Sequence, residues 1–183
     1  MAGIAAGVKD KEKNYGDILV ATFTWNYDSG KYKFDTKISK TVFEADPEQI
    51  EIDATMVHLI NELKSDKKML EKVENNFTES TTDKKSNTSL KVFLGPLASG
   101  SAVLADKKKL DKLRVNYRKL IGIDMETFGV YYAVKNYCSN NRIKVISIKS
   151  ISDFADQRKS DKYRKYAAYT SASFIYNFIQ TKL

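Results

Sequence analysis

The chain has 183 residues, 42% of them hydrophobic, and sets 31 lysines and arginines against 23 acidic side chains, for a net charge of +8. That length and apolar content suit one well-packed core, so a single domain over residues 1–183 is expected, and only two prolines and eight glycines argue against disorder. The basic excess is scattered lysine with five arginines and no arginine-rich run, which speaks against nucleic-acid binding; no stretch approaches the ~18 apolar residues of a membrane span.

One cysteine, Cys138, allows no internal disulfide and fits a cytoplasmic protein. The lone histidine, His58, has no cysteine or histidine companion, so neither a zinc site nor a Ser-His-Asp triad is expected. No metal and no cofactor are called for.

In chain order, residues 2–7, AGIAAG, read as a small-residue turn that lets a backbone approach a ligand closely. A strand over residues 17–22 follows a charged loop. Residues 23–34, FTWNYDSGKYKF, are aromatic and irregular, fitting a hairpin or loop packed by its own rings, or a lid or dimer contact. Asp46-Pro47 reads as a helix start. Ile50, Ala54, Val57, Ile60 and Leu63 then form one apolar stripe. A second helix over residues 67–77 leads into a polar surface loop, residues 78–89. The strand at residues 91–94 is expected to end in a glycine-bearing turn, GPLASGS, before a helix capped near Asp106.

Residues 120–123 form a short apolar run, after which Met125, Phe128, Tyr132 and Ala133 fall at helical spacing. Asp124-Met125-Glu126 thus sits at a strand-to-helix junction with Glu126 in the first turn, where free N–H groups and the helix dipole favour a carboxylate. Asp124 reads as a strand-end partner. A branched strand, residues 144–151, ends in Ser152-Asp153-Phe154-Ala155-Asp156, and strand carboxyl ends face the ligand crevice in an open parallel sheet. Asp156 reads as a turn or helix cap. A long last helix carries Tyr166, Ala167, Thr170, Phe174 and Phe178 on one side. Alternating strands and helices predict a three-layer α/β domain.

The glycine turn followed by GDILVA, the segment GIDMET, and ISDFAD with its closing helix resemble the purine nucleoside phosphorylase and nucleosidase superfamily. Within it they are most similar to the methylthioadenosine/S-adenosylhomocysteine nucleosidase branch. The resemblance implies a three-layer αβα phosphorylase/hydrolase-like fold with a central mixed sheet, and N-glycosidic cleavage of a purine nucleoside. It implies that Glu126 holds the ribose hydroxyls, Met125 packs on the sugar, and Asp153, supported by Ser152, is the acid at the purine. Ala5, Ala6 and Gly7 would line the pocket, while Leu97, Ala98 and Ser99 would contact the base. The chemistry is coherent: the ribosyl C–N bond breaks through an oxocarbenium-like sugar, and the purine leaves best once its imidazole ring is protonated. An aspartate in water is ionised at neutral pH, so this role demands partial desolvation.

The chain departs from the family in having Ala2 where a threonine or serine is usual, Ala6 where a glycine is common, and Leu97 where an aromatic ring often stacks. Family chains also begin with strands and helices that carry the water-activating acid. Residues 1–183 would therefore correspond to the C-terminal two thirds of the fold, N-terminally truncated, with a sheet edge or face left bare. Hydrolysis is favoured over phosphorolysis because no phosphate cradle is apparent. The alternative reading is a catalytically incomplete nucleoside-binding or regulatory module. A homo-oligomer, most simply a dimer, is expected from the bare edge and the aromatic segment.

Overall fold

The computed structural model describes residues 1–101, 107–137, 143–155 and 161–183. Asp106, Cys138 and Asp156 lie outside the described residues. Eight strands alternate with five helices among those residues: β1 Ala2–Gly7, β2 Ile18–Asn26, β3 Gly30–Asp35, β4 Lys40–Ala45, β5 Gln49–Glu51, α1 Ala54–Lys64, α2 Lys67–Asn75, β6 Val92–Ser99, α3 Lys107–Asn116, β7 Gly122–Asp124, α4 Thr127–Tyr137, β8 Ile148–Asp153 and α5 Arg164–Lys182.

The two-residue period of β2 builds the layers. Ile18 and Val20 face one side and meet Ile60 and Leu63 of α1, Leu70 and Val73 of α2, and Phe174 and Phe178 of α5. Leu19 and Ala21 face the other, against Leu97, Ile121, Ile151 and Tyr131 of α4. Helices thus cover both faces of a mixed sheet, the α/β arrangement that the alternating pattern predicts. A third cluster joins Trp25, Ala98, Leu110 and Ile123 at the α3 corner. Phe174 and Phe178 are almost wholly buried, each contributing about 1.5–3 kcal/mol by burial.

Among the described residues most of the sheet closes on itself, and β5 keeps one unpaired edge. Its order is β5-β2-β6-β7-β1-β8, and the start of β2 also pairs with β8. Ile18, Leu19 and Val20 lie antiparallel to Ser150, Lys149 and Ile148, so five strands close into a ring. The later part of β2 pairs with β5 instead, through Phe23, Thr24 and Trp25. Closure satisfies backbone groups that an open edge would leave to solvent.

Two predicted turns are strands. AGIAAG is β1, parallel to β8 and antiparallel to β7. Its glycines answer to close packing rather than to a turn: a Cβ on Gly7 would lie 2.7 Å from the Ile151 side chain. Likewise β6 continues through Gly95, Pro96, Leu97 and Ala98 to Ser99, parallel to β2 throughout. The aromatic segment divides into the end of β2 and the β3–β4 hairpin. The helix predicted at Asp46 begins later: Asp53 is the cap, its carboxylate accepting from Thr55 N at 2.9 Å, and Ile50 belongs to β5. Asp66 caps α2 in the same way through Met69 N. The stripe on α5 buries Tyr166, Ala167, Thr170, Phe174 and Phe178 as the sequence predicts.

Candidate active site

β6 and β7 run parallel with Ser99 beside Asp124, so two polar residues arrive together where both strands end. Asp124 is buried, and its side chain has no exposure. Burying a carboxylate requires partners, and four are supplied. Ser99 Oγ donates at 2.6 Å, Thr127 N at 3.1 Å and Thr127 Oγ1 at 2.5 Å, while Lys149 Nζ lies 3.0 Å away. The expectation that Asp124 is a strand-end partner describes this geometry. Asp124 also caps α4 by accepting from Thr127 N.

Ser99 Oγ in turn accepts from Phe128 N at 2.9 Å, and Thr127 Oγ1 meets Ser147 Oγ at 2.7 Å. Tyr131 extends the network, donating to the Ala21 carbonyl and accepting from Ser147 N, both at 3.1 Å. Its hydroxyl is pushed further above the usual phenol range by burial, so it serves as a neutral donor.

The sequence reading missed Lys149. It lies within β8, its side chain is only 3% exposed, and it bridges Asp124 to Glu126, whose Oε2 is 2.7 Å from its Nζ. A lysine inside a strand with both faces covered was the available signal, since such strands are otherwise apolar. Room for it comes from β1: a Cβ on Gly3 would stand 3.1 Å from Lys149 Nζ. Glu126 immediately precedes α4 rather than lying within its first turn, and its carbonyl accepts from Val130 N. Two carboxylates and one ammonium carry a net negative charge. With Asp124 sealed in, that charge surfaces at the Glu126 side chain, which is 57% exposed. Met125 beside it is exposed as well.

The second group gathers at the end of β8. Asp153 accepts from Ser152 Oγ at 3.1 Å and from Ala155 N at 3.0 Å, and is half-buried. Ser152 Oγ also lies 3.4 Å from the Ala5 carbonyl. The β1–β8 register slips here, Ala5 facing Ile151 but Ala6 facing Asp153, so Ser152 is the extra residue of a bulge. Bulges of this kind re-aim a side chain at a strand end. Ala155, two residues after the acid, holds a left-handed conformation with φ 51°.

The structure therefore brings Glu126 and Ser99 together around Lys149 and Asp124, with Met125 between Asp124 and Glu126 in the chain, and brings Asp153 and Ser152 together with Ala5 and Ala6. β1 joins the groups, with Gly3 beneath Lys149 and Ala6 beside Asp153. Gly7 pairs with Gly122 of β7. The Leu97 and Ala98 side chains are wholly buried in the core. Among the described residues there is no cluster of histidine, cysteine and carboxylates fit to hold a metal.

The sequence profile of the Phosphorylase superfamily matches residues 1–180. The chain belongs to the phosphorylase superfamily. Among this superfamily chain's relatives, the uncharacterized protein y4jS of Sinorhizobium fredii is 34% identical over 174 residues, covering 94% of this chain and 40% of its own length. A death domain-containing ATP nucleosidase of Amphimedon queenslandica is 24% identical, covering 94% of this chain and 32% of its own. The chain thus spans well under half of these relatives. In fold it matches a Helicobacter pylori 5'-methylthioadenosine/S-adenosylhomocysteine nucleosidase, with a TM-score of 0.68 over 98% of this chain and 67% of that one, at 18% identity. No helix among the described residues is long and apolar enough to cross a membrane.

Proposed function

We propose that this phosphorylase-superfamily chain binds a purine nucleoside and takes part in cleaving its N-glycosidic bond. The observation that carries the reading is Glu126, a carboxylate held at the surface by a buried lysine that is itself locked to a buried aspartate. Lys149 occupies one oxygen of Glu126, which leaves the other free to accept vicinal sugar hydroxyls. A carboxylate fixed in advance positions the ring and stabilises the positive charge that grows on it as the bond breaks. Asp153 is the proposed acid, delivering a proton to the imidazole ring of the purine. The C1′–N bond breaks with its electron pair passing to the protonated base, which departs neutral; C1′ then takes the oxygen of water, and the water's surplus proton passes to solvent, from which the acid is reprotonated. Lys149 acts through Glu126 as a positioning residue.

Hydrolysis of a methylthioadenosine-type nucleoside is the favoured form, and the names of the relatives add adenine nucleotides as the second substrate to try. We place the chain in the cytoplasm, working as a homo-oligomer. The test is release of free adenine from methylthioadenosine, S-adenosylhomocysteine and ATP by the purified chain, with calorimetry on the same ligands. Adenine release abolished by Asp153→Asn supports cleavage. Binding without release supports the nucleoside-binding module instead. No purine binding at millimolar ligand overturns both.

A further inference from the structure

Beyond the C-terminus of α3 the chain turns sharply into β7, with Tyr117 N donating to the Leu113 carbonyl and Leu120 N to the Tyr117 carbonyl. This turn stands beside the middle of β6 and leaves an open cleft of about 540 Å³, within the roughly 300–1,000 Å³ of small-molecule sites. Backbone geometry shapes it. The β2–β6 register slips here, Ala21 facing Gly95 but Phe23 facing Pro96, so Thr22 is an extra residue of β2, and it lines the cleft. Gly95 lets the turn come close: a Cβ there would lie 2.6 Å from the Ile121 side chain and 3.4 Å from the Lys119 carbonyl. Leu94, Pro96 and Val115 make much of the lining apolar. Tyr117 is a fixed aromatic wall, stacked on the buried Trp25 with centroids 3.9 Å apart, while its hydroxyl accepts from Gln49 Nε2 at 2.9 Å. Phe23 lies 6.3 Å from the Tyr117 ring, tilted by 54°. Rings held in this way favour a flat guest.

The rest of the lining is cationic and polar. Arg118 and Lys119 lie just beyond α3, where the last carbonyls of a helix favour positive charge, and among the described residues neither side chain makes a hydrogen bond or an ion pair. Arg114, one turn earlier, is by contrast paired with Asp111. The Thr22 hydroxyl and the Asn116 carboxamide line the same space and are likewise unbonded among the described residues. The acid that strand register brings nearest, Glu51 opposite Phe23, is not part of the lining. Two uncompensated cations beside aromatic and aliphatic walls match a ligand that is flat and apolar at one end and anionic at the other. A guanidinium grips a carboxylate or a phosphate at two points, which a point charge alone does not do. An anion without a ring would leave the walls empty, and a neutral ring would leave the cations unanswered.

We propose that this cleft is a second ligand site, separate from the Glu126 and Asp153 groups, for a small planar aromatic carboxylate or phosphate whose ring packs against Tyr117 and Val115 and whose anion is held by Arg118 and Lys119. No lining residue belongs to the site proposed for the nucleoside, and probes without sugar or purine keep the two readings apart. Calorimetry on the purified chain should give naphthoate or naphthyl phosphate a Kd below about 1 mM, the tighter of the two identifying the anion. Naphthamide, the same ring without the charge, and inorganic phosphate, the charge without the ring, should each bind at least about 10-fold more weakly. Arg118→Gln should weaken the anion by about 10-fold. Val115→Glu places an acid at a position that is 77% exposed, so the fold is not at stake, and should weaken it by about 100-fold. Arg164→Gln, at an arginine on α5 paired with Asp161, should change nothing. In amide NMR spectra naphthoate should shift Gly95 and residues 115–119 and leave Glu126 and Asp153 in place. No binding of either anion at millimolar concentration, equal binding of naphthamide, affinity indifferent to Arg118→Gln and Val115→Glu, or shifts confined to other segments would each overturn the proposal.

Discussion

The two ends of the candidate site are built differently. At the Glu126 end the charge is held from below: Lys149 and Asp124 are buried, and Ser99 and Thr127 fill the remaining valences of Asp124. At the Asp153 end the carboxylate rests on its own neighbours in sequence, Ser152 Oγ and Ala155 N, at a strand bulge. The first is a rigid fixture whose removal should disturb the core. The second is a locally held carboxylate, placed by backbone geometry at a strand bulge. The proposed reaction would use both, one carboxylate to orient the sugar and the other to protonate the base.

The largest expected effect falls on the Asp153 end. Asp153→Asn keeps the size and most local hydrogen bonds but cannot deliver a proton, so adenine release should drop about 100- to 10,000-fold, the usual share of a general acid. Thermal stability should stay nearly constant. A large fall in melting temperature with no specific loss of turnover would show that this carboxylate is a turn former and would erase the contrast.

Lys149→Met tests the opposite end. It strands the buried Asp124 carboxylate without its counter-ion, and breaking a buried pair in this way costs about 3–5 kcal/mol. Urea denaturation should register that loss. A cost below about 1 kcal/mol, the range of a surface pair, would mean the cluster is not the fixture described here.

A pH titration sharpens the comparison next. Asp17 caps the entry to β2, accepting from Asn14 N at 2.8 Å and Lys91 N at 2.9 Å, while its carbonyl accepts from Ile151 N, two residues before Asp153. Burial pushes its carboxyl from 3.8 up to about 6, against the pull of those two N–H groups and of Lys91 and Lys13. A carboxyl that holds its proton more tightly when folded favours folding fully below pH 3.8. That contribution is lost as pH rises through about 6. Stability measured by urea should therefore fall by about 2 kcal/mol between pH 4 and pH 7, and Asp17→Asn should flatten the curve. Hydrogen exchange at Ile151 should quicken over the same interval. A stability that instead rises across this window would contradict the assignment.

Glu126→Gln has the mildest expected effect. It removes a charged acceptor while leaving Lys149 paired with Asp124, so nucleoside affinity should weaken roughly 10- to 100-fold, the value of a hydrogen bond to a charged group. Binding of free adenine should be unchanged. Equal loss for both ligands in calorimetry would separate Glu126 from the sugar.

Much of this was legible in the sequence because its signals are local. The stripe on α5 follows from 3.6-residue spacing, and the strand expected at residues 17–22 from its branched apolar run. GIDMET and ISDFAD place Asp124 and Asp153 at the ends of strands, and Glu126 at a strand-to-helix junction, by sequence alone. The family follows from the same two segments. What misled was glycine. In AGIAAG and in VFLGPLAS it signals a turn, yet at Gly3 and Gly7 the missing Cβ makes room for Lys149 and Ile151 from the neighbouring strand. That partner lies about 145 residues away in the chain, and no window of local sequence contains it. The helix start misread at Asp46 has a related cause: Asp46 and Asp53 both carry a capping side chain, and the pairing of Ile50 with Thr24 decided between them.

The sequence by itself determined the α/β class, the family and the segments that carry Asp124, Glu126 and Asp153, since those depend on residue type and short-range spacing. Only the tertiary structure decided that the strands close into a ring and that Lys149 lies beneath Glu126. The physical reason is that both depend on long-range strand register. Register sets which side chains share a face, and burial without water then compels an ammonium and two carboxylates to find one another.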